Sequence, residues 1–258
     1  VNGIEIVRRM VSGKLFDNIL CGTVIALPII NIYGFINFSR DVPDGKDVNR
    51  SFPGYSEGSL ASLVAYTLTN KILPAIDFGI DFHTGGSSRT NYPQTRYAIG
   101  DKLSAELADI FCAPLTMYSA LIEGSLRAEA VKQGKSILVY EGGETLRFDE
   151  FAIEEGIKGT KRILKHYGML KIAPKPLGET KLITKTTWIR AGMSGMFRAI
   201  RKSGEKVYKG QHIGLINSPS SDQEIKLEAP DDGYIISHNN LPVVHRGDAL
   251  FNIGFQKE

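Results

Sequence analysis

The sequence predicts an α/β fold, a mostly parallel sheet with helices on both faces, followed by a small all-β unit. Three observations carry this. Apolar strand runs alternate with amphipathic helices up to residue 167. A stiff linker, Ala173-Pro174-Lys175-Pro176, follows a change of texture near Leu170. Beyond it come only short strand runs and turns. The expected division is therefore 1–170 for the α/β part and 171–258 for the β-rich part.

Taken in order, Ile4, Val7, Met10 and Val11 have helical spacing, so residues 1–13 read as an amphipathic helix. Residues 19–38 carry no charge and are long enough to span a bilayer. Pro28 splits them, and Ile and Val are frequent, so two buried strands around 22–36 are expected rather than a membrane helix. Residues 40–55 hold Pro43-Asp44-Gly45 and Pro53-Gly54 and read as a loop. A loop of that length in a compact domain usually carries function. Leu60, Leu63, Val64 and Leu68 share one face of a helix over 60–72, capped by Ser59. The apolar run 76–82 predicts a strand ending at His83, before the turn Thr84-Gly85-Gly86. Helices follow at 103–111 and 124–133, the second closed by Gly134. A β-branched strand over 136–140 leads into Glu141, and a long helix over 151–167 stops at Gly168. In the tail, runs such as 188–190, 210–214, 233–236 and 249–251 predict a small sandwich or barrel.

Composition bounds the function. The net charge of +3 over 258 residues is too small to argue for nucleic acid or an anionic membrane. Cys21 and Cys112 lie in apolar stretches and read as two buried free thiols of a reducing cytoplasm. No signal-peptide pattern is visible. Val1 is not an initiator methionine, and helical spacing begins by Ile4, so the natural N-terminus is expected upstream.

Three short segments carry the candidate chemistry. His83 sits at the end of a strand, where open α/β sheets place their ligands. It reads either as a satisfied structural imidazole or as a metal ligand, and the Thr-Gly-Gly turn favours the ligand. One imidazole does not hold a catalytic zinc, so other ligands are needed. Asn49 and Arg50, adjacent in the long loop, can fork onto a carboxylate; equally, they are a turn Asn and a surface Arg. Glu141 ends an apolar strand, where a carboxylate is costly without a partner or a task. Arg40, Arg89 and Arg127 are further basic candidates, and Glu144 reads as structural. His166 suits the C-terminal end of its helix.

These residues resemble the succinylglutamate desuccinylase and aspartoacylase family, relatives of the zinc carboxypeptidases. The matching runs are Asn31-Ile32-Tyr33-Gly34-Phe35, Pro43 to Gly54 with Asp47-Val48-Asn49-Arg50 at its centre, Asp81-Phe82-His83-Thr84-Gly85-Gly86, Gly124-Ser125-Leu126-Arg127 and Val139-Tyr140-Glu141-Gly142-Gly143-Glu144. The resemblance extends over nearly the whole chain. It implies a carboxypeptidase-like α/β fold and zinc-dependent removal of an acyl group from a small N-acylated amino acid. It also implies roles. His83 would be the third zinc ligand, the other two coming from a His-Gly-Asp/Asn-Glu motif upstream of Val1. Glu141 would be the general base and acid, and Arg40 would steady the oxyanion. Asn49 and Arg50 would clamp the substrate carboxylate, with Arg127 as a second substrate contact.

The tail is similar to biotinyl/lipoyl-type β domains through Ala191-Gly192-Met193-Ser194-Gly195 and Glu228-Ala229-Pro230-Asp231-Asp232-Gly233. A carrier needs a lysine at a hairpin tip, and the turn Ser218-Pro219-Ser220-Ser221-Asp222-Gln223 has none. A structural or lid role is expected instead, with His212, His238 and His245 as ordinary surface or turn residues. Two other readings remain open: a metal-free binding module that keeps the carboxylate clamp, and a zinc carboxypeptidase acting on peptides. Nucleic-acid and membrane partners are not expected, and the sequence leaves room for a homo-oligomer.

Overall fold

Four helices of the first half begin on a side chain that accepts a hydrogen bond from a backbone N–H of the first turn. Ser59, Asp101, Ser125 and Asp149 do so at 3.4, 3.1, 3.2 and 3.1 Å. The computed structural model describes residues 1–86 and 88–256. Its first half runs α1 (Asn2–Ser12), α2 (Ile32–Asn37), α3 (Leu60–Thr67), β1 (Phe78–His83), β2 (Arg89–Tyr97), α4 (Lys102–Phe111), β3 (Leu115–Tyr118), α5 (Leu126–Lys132), β4 (Ser136–Glu144) and α6 (Glu150–His166). The rest is strand: β5 (Lys181–Ile183), β6 (Lys185–Arg190), β7 (Gly195–Ala199), β8 (Lys206–Val207), β9 (His212–Asn217), β10 (Glu224–Glu228), β11 (Gly233–Asn239), β12 (Val243–Val244) and β13 (Ala249–Phe255).

The main sheet follows the path β1-β4-β2-β11-β13-β6, with β3 beside β2, β5 beside β3, and β8 beside β11. The β1–β4, β2–β3 and β3–β5 pairs are parallel. The β2–β4, β2–β11, β11–β13, β11–β8 and β13–β6 pairs are antiparallel. The sheet is thus mixed, and this corrects the expectation of a mostly parallel one. The cause is β2, which follows β1 after a short turn and runs back along β4. Its polar residues hide it from an apolar-run reading. A second sheet, β10-β9-β7-β12, is antiparallel. The tail is therefore not a free-standing sheet. Ser237, His238 and Asn239 of β11 pair with Asn91, Thr90 and Arg89 of β2.

Alternation along β4 sends its side chains to two layers. Leu138 and Tyr140 pack with Ile6, Leu107, Phe111, Ile153 and Ile163 of α1, α4 and α6. Ile137, on the other face, packs with Leu73 and Ala130 of α5. At Gly159 of α6 an added Cβ would run into the Phe111 ring. The bare backbone is what lets α6 and α4 close on each other.

Two further expectations are corrected. Residues 22–36 form no strand; they run irregularly, largely exposed, into α2. Asn31 explains the turn: its Oδ1 accepts the Gly34 N–H at 2.8 Å, and its Nδ2 donates to the Arg40 carbonyl at 2.9 Å. An apolar run without a pairing partner has no reason to stay extended. Cys21 is exposed and Cys112 half-buried, and both are free thiols.

Candidate active site

The parallel register of β1 and β4 sets His83, the last residue of β1, directly beside Glu141, three residues before the end of β4. Residues two apart share a face, so Asp81 lies on the His83 side. Phe82 and Tyr140 turn the other way and meet edge to face at 5.9 Å between ring centroids. One face of this strand pair is core and the other is polar. After His83 the chain turns at Gly85, where an added Cβ would strike the Arg89 carbonyl. That close approach is how β2 starts back at once.

His83 Nε2 donates to Asp81 Oδ2 at 2.8 Å, and both side chains are mostly buried. The Asp81 carboxylate is the main cause of a His83 pKa raised to about 9; burial opposes it, the hydrogen bond to Asp81 and the charge of Glu141 add to it, and Arg40 opposes it. Glu141 is held from β2. Asn91 Nδ2 donates to its Oε2 at 2.9 Å, and Arg96 Nη1 lies 3.8 Å from its Oε1. Asn91 and Arg96 differ in parity along a strand, so in a regular ladder they would face opposite ways. A register shift between Asn91 and Gln94 inserts one residue. Asn91 then stands opposite Gly143 and Arg96 opposite Val139, both on the Glu141 face.

These groups line a cavity of about 210 Å³. Its floor is His83, Thr84, Gly86 and Glu141; Arg89, Asn91 and Arg96 come from β2, and Arg40 from the long loop. The far wall belongs to the tail: Trp188 of β6, Ile236 and Ser237 of β11, and Asn252 of β13. Arg40 is bound to Asp47, Nε to Oδ2, at 2.6 Å.

Asn49, Arg50 and Arg127 do not line this cavity and gather beside it instead. Asp47 Oδ1 accepts the Asn49 N–H at 2.8 Å, and Asn49 Oδ1 accepts the Leu126 N–H at 2.9 Å, which docks the loop on the start of α5. An added Cβ at Gly124 would press on the Arg50 backbone. Arg50 Nη1 donates to the Asn49 carbonyl at 2.6 Å. Arg127 Nη2 donates to the Ser119 Oγ and the Ala120 carbonyl at 2.9 and 2.7 Å, and its buried Nη1 has no partner among the described residues. Burial, then Arg96, lowers the Arg127 pKa.

Sequence reading misses Asp81, Asn91, Arg96 and Trp188. Asp81 had a usable signal, the i, i+2 spacing to His83 in a strand. The bulge that turns Asn91 and Arg96 inward, and the crossing of the tail that delivers Trp188, leave none.

An imidazole whose second nitrogen is held by a carboxylate has the form of a metal-binding histidine, so His83 fits one zinc position. It does not suffice. A catalytic zinc takes three protein ligands, and among the described residues no three His, Cys, Asp or Glu side chains come together. Nor is any helix among them long and apolar enough to cross a membrane.

The sequence model of the succinylglutamate desuccinylase/aspartoacylase catalytic domain matches residues 1–167. An N-alpha-acetyl-L-2,4-diaminobutyric acid deacetylase of Halomonas elongata is 26% identical over 264 residues, 96% of this chain and 76% of the relative. The product-bound ectoine utilization protein EutE (DoeB) of Ruegeria pomeroyi superposes with a TM-score of 0.86 at 23% identity, covering 98% of this chain and 80% of that one. A succinylglutamate desuccinylase/aspartoacylase of Rhodobacter sphaeroides gives a TM-score of 0.86 at 24% identity, with 99% and 82% covered.

Proposed function

The chain belongs to the succinylglutamate desuccinylase/aspartoacylase family, and we propose that it hydrolyses the amide bond of a small N-acylated amino acid, releasing a carboxylate and a free amine. The observation that carries this is the in-register pair of His83 and Glu141 facing one polar cavity of about 210 Å³. That volume is below the ~300–1,000 Å³ filled by drug-sized ligands. It suits a small molecule better than a peptide chain, and the tail residues Trp188, Ile236, Ser237 and Asn252 line part of it. The activity of the Halomonas elongata relative on an acetylated amino acid supports the same substrate class.

The residues divide the work as follows. Glu141 accepts a proton from the attacking water and passes it to the leaving amine, steps worth ~10²–10⁴ in rate. Asn91 and Arg96 position its carboxylate. Arg40 turns from Asp47 to the tetrahedral oxyanion, a contact worth ~3 kcal/mol. Asn49, Arg50 and Arg127 hold the substrate carboxylate. Zinc dependence is part of the proposal, with His83 as one ligand and the others outside the described residues. When bound, the metal would supply an acidified water and a polarised carbonyl.

The test is amine release from a panel of N-acylated amino acids by the full-length polypeptide, with zinc measured alongside. We expect release from at least one of them, about one zinc per chain, loss of activity on chelation and recovery on adding zinc. Zinc bound without amine release would sink the deacylase. No zinc uptake, with small carboxylates still bound, would favour a metal-free binding module.

A further inference from the structure

A second cavity of about 210 Å³ lies behind the catalytic one. Successive residues of a strand face opposite ways: Asn91 lines the catalytic cavity, and Tyr92 lines the other. Both halves of the chain build it. Its floor is apolar and aromatic, with Tyr92 of β2, Leu115 of β3 and Tyr234 of β11. The Tyr92 ring is held in place, 5.7 Å from the Phe151 centroid and where an added Cβ at Gly204 would run into it. Leu177 at the rim is exposed, which leaves apolar surface for a ligand to cover.

Two opposite charges stand beside this floor. Glu179 and Lys181, two apart in sequence, both line the cavity. Among the described residues neither makes an ion pair with the other or with a third group. The Lys181 ammonium rests instead over the Tyr234 ring, 5.6 Å from the centroid. A cation held on an aromatic face keeps N–H donors for an anion. The exposed Glu179 carboxylate keeps its oxygens for a cation. Opposite charges over one apolar floor match a zwitterion with an apolar side chain. A plain carboxylic acid would meet Glu179 as a like charge, and a plain amine would meet Lys181 so. The volume is below the ~300–1,000 Å³ of drug-sized sites, which suits a ligand as small as one amino acid.

We propose that this cavity is a second binding site, separate from the catalytic one, for a free amino acid with an aromatic side chain. Lys181 holds the carboxylate, Glu179 holds the ammonium, and Tyr92, Leu115 and Tyr234 receive the ring. An N-acylated amino acid, whose nitrogen carries no charge, leaves Glu179 unanswered. The site stands without the deacylase reading. Tyr92 lies within the register shift that turns Asn91 and Arg96 toward Glu141, so a ligand here bears on the strand segment that holds the proposed base.

The probe is L-phenylalanine, titrated by calorimetry against the full-length protein. Hydrocinnamate, the same skeleton without the ammonium, and phenethylamine, without the carboxylate, are titrated beside it. Phenylalanine should bind saturably, and each analogue should bind at least about three- to fivefold more weakly, the value of a partly exposed ion pair. Lys181→Met should weaken phenylalanine by a similar factor without weakening phenethylamine. Glu179→Gln should weaken phenylalanine without weakening hydrocinnamate. Thermal melts followed by circular dichroism confirm that the variants fold. If Lys181→Met does not fold, Glu179→Gln and the wild-type contrast still decide.

Cys112 locates the ligand. Its half-buried thiol lines this cavity, with Sγ 3.5 Å from the Gly178 carbonyl, while the exposed Cys21 lies outside it. Alkylation by N-ethylmaleimide, followed peptide by peptide in the mass spectrometer, should slow severalfold at Cys112 under saturating phenylalanine and stay unchanged at Cys21. Three results overturn the site: no binding of phenylalanine, analogues bound as tightly as phenylalanine, or binding that leaves Cys112 unprotected. The last would place the amino acid elsewhere, the catalytic cavity included.

Discussion

Two neighbours hold Glu141 while leaving one of its oxygens without a close hydrogen bond, as its proposed role as base requires. Asn91 takes Oε2 at 2.9 Å, and Arg96 stands off at 3.8 Å from Oε1. Glu141→Gln keeps the shape and the Asn91 contact but cannot accept a proton. We expect kcat for amine release to fall ~10²–10⁴-fold with bound zinc unchanged, since the residue is proposed as a base and not a ligand. Rates near wild type would remove Glu141 from that role. Arg50 sits beside the cavity with its guanidinium turned to the Asn49 carbonyl. If it clamps the substrate carboxylate, Arg50→Ala should raise KM about tenfold and change kcat less; an unchanged KM would remove it. At this scale the sequence was legible where chemistry and spacing coincide. His83 and Glu141 each follow an apolar run, and the structure sets them side by side. Asn91 and Arg96 escaped because a polar strand with a bulge looks like a loop.

Helices were the most readable elements, since side-chain caps and apolar periodicity act within one or two turns. α1, α4, α5 and α6 start or end within two residues of the positions their sequences predict. What periodicity cannot show is which small residue meets which neighbour. Gly159 lies inside α6, where alanine would ordinarily stabilise by ~1 kcal/mol. Its Cβ would instead press on the Phe111 ring. Gly159→Ala should therefore destabilise by ~1–3 kcal/mol, read from denaturant midpoints at unchanged slope; a stabilised variant would show that α4 shifts freely. Residues 22–36 failed for the opposite reason. Their apolar content said strand, but strands exist only with partners, and no neighbouring strand takes them up among the described residues.

Across the whole molecule the decisive contact is β2 with β11, where the two halves of the chain become one sheet. His238 sits in that seam. Ser203 N–H donates to its Nδ1 at 3.1 Å, and Ser203 Oγ reaches the Thr90 carbonyl at 2.9 Å. Burial first, then the charge of Lys202, lowers the His238 pKa from 6.5, with Glu205 opposing. A depressed histidine contributes stability above 6.5 and loses it as pH falls toward the lowered folded value. Thermal stability should therefore decline on acidification below about 6.5, and His238→Gln should blunt that decline. Because the seam joins both halves, Trp188 emission and far-UV circular dichroism should report one transition. Separate midpoints would mean that the tail unfolds alone.

Strand-end chemistry, helix caps and the change of texture near Leu170 were written into the order of residues, because each depends on neighbours within a few positions. The path of the mixed sheet, the bulge that brings Asn91 and Arg96 to Glu141, and the delivery of Trp188 to Arg89 were settled only in three dimensions. Each of these joins residues tens to hundreds of positions apart, and a strand's partner is chosen by packing and register across the fold, on which local spacing is silent.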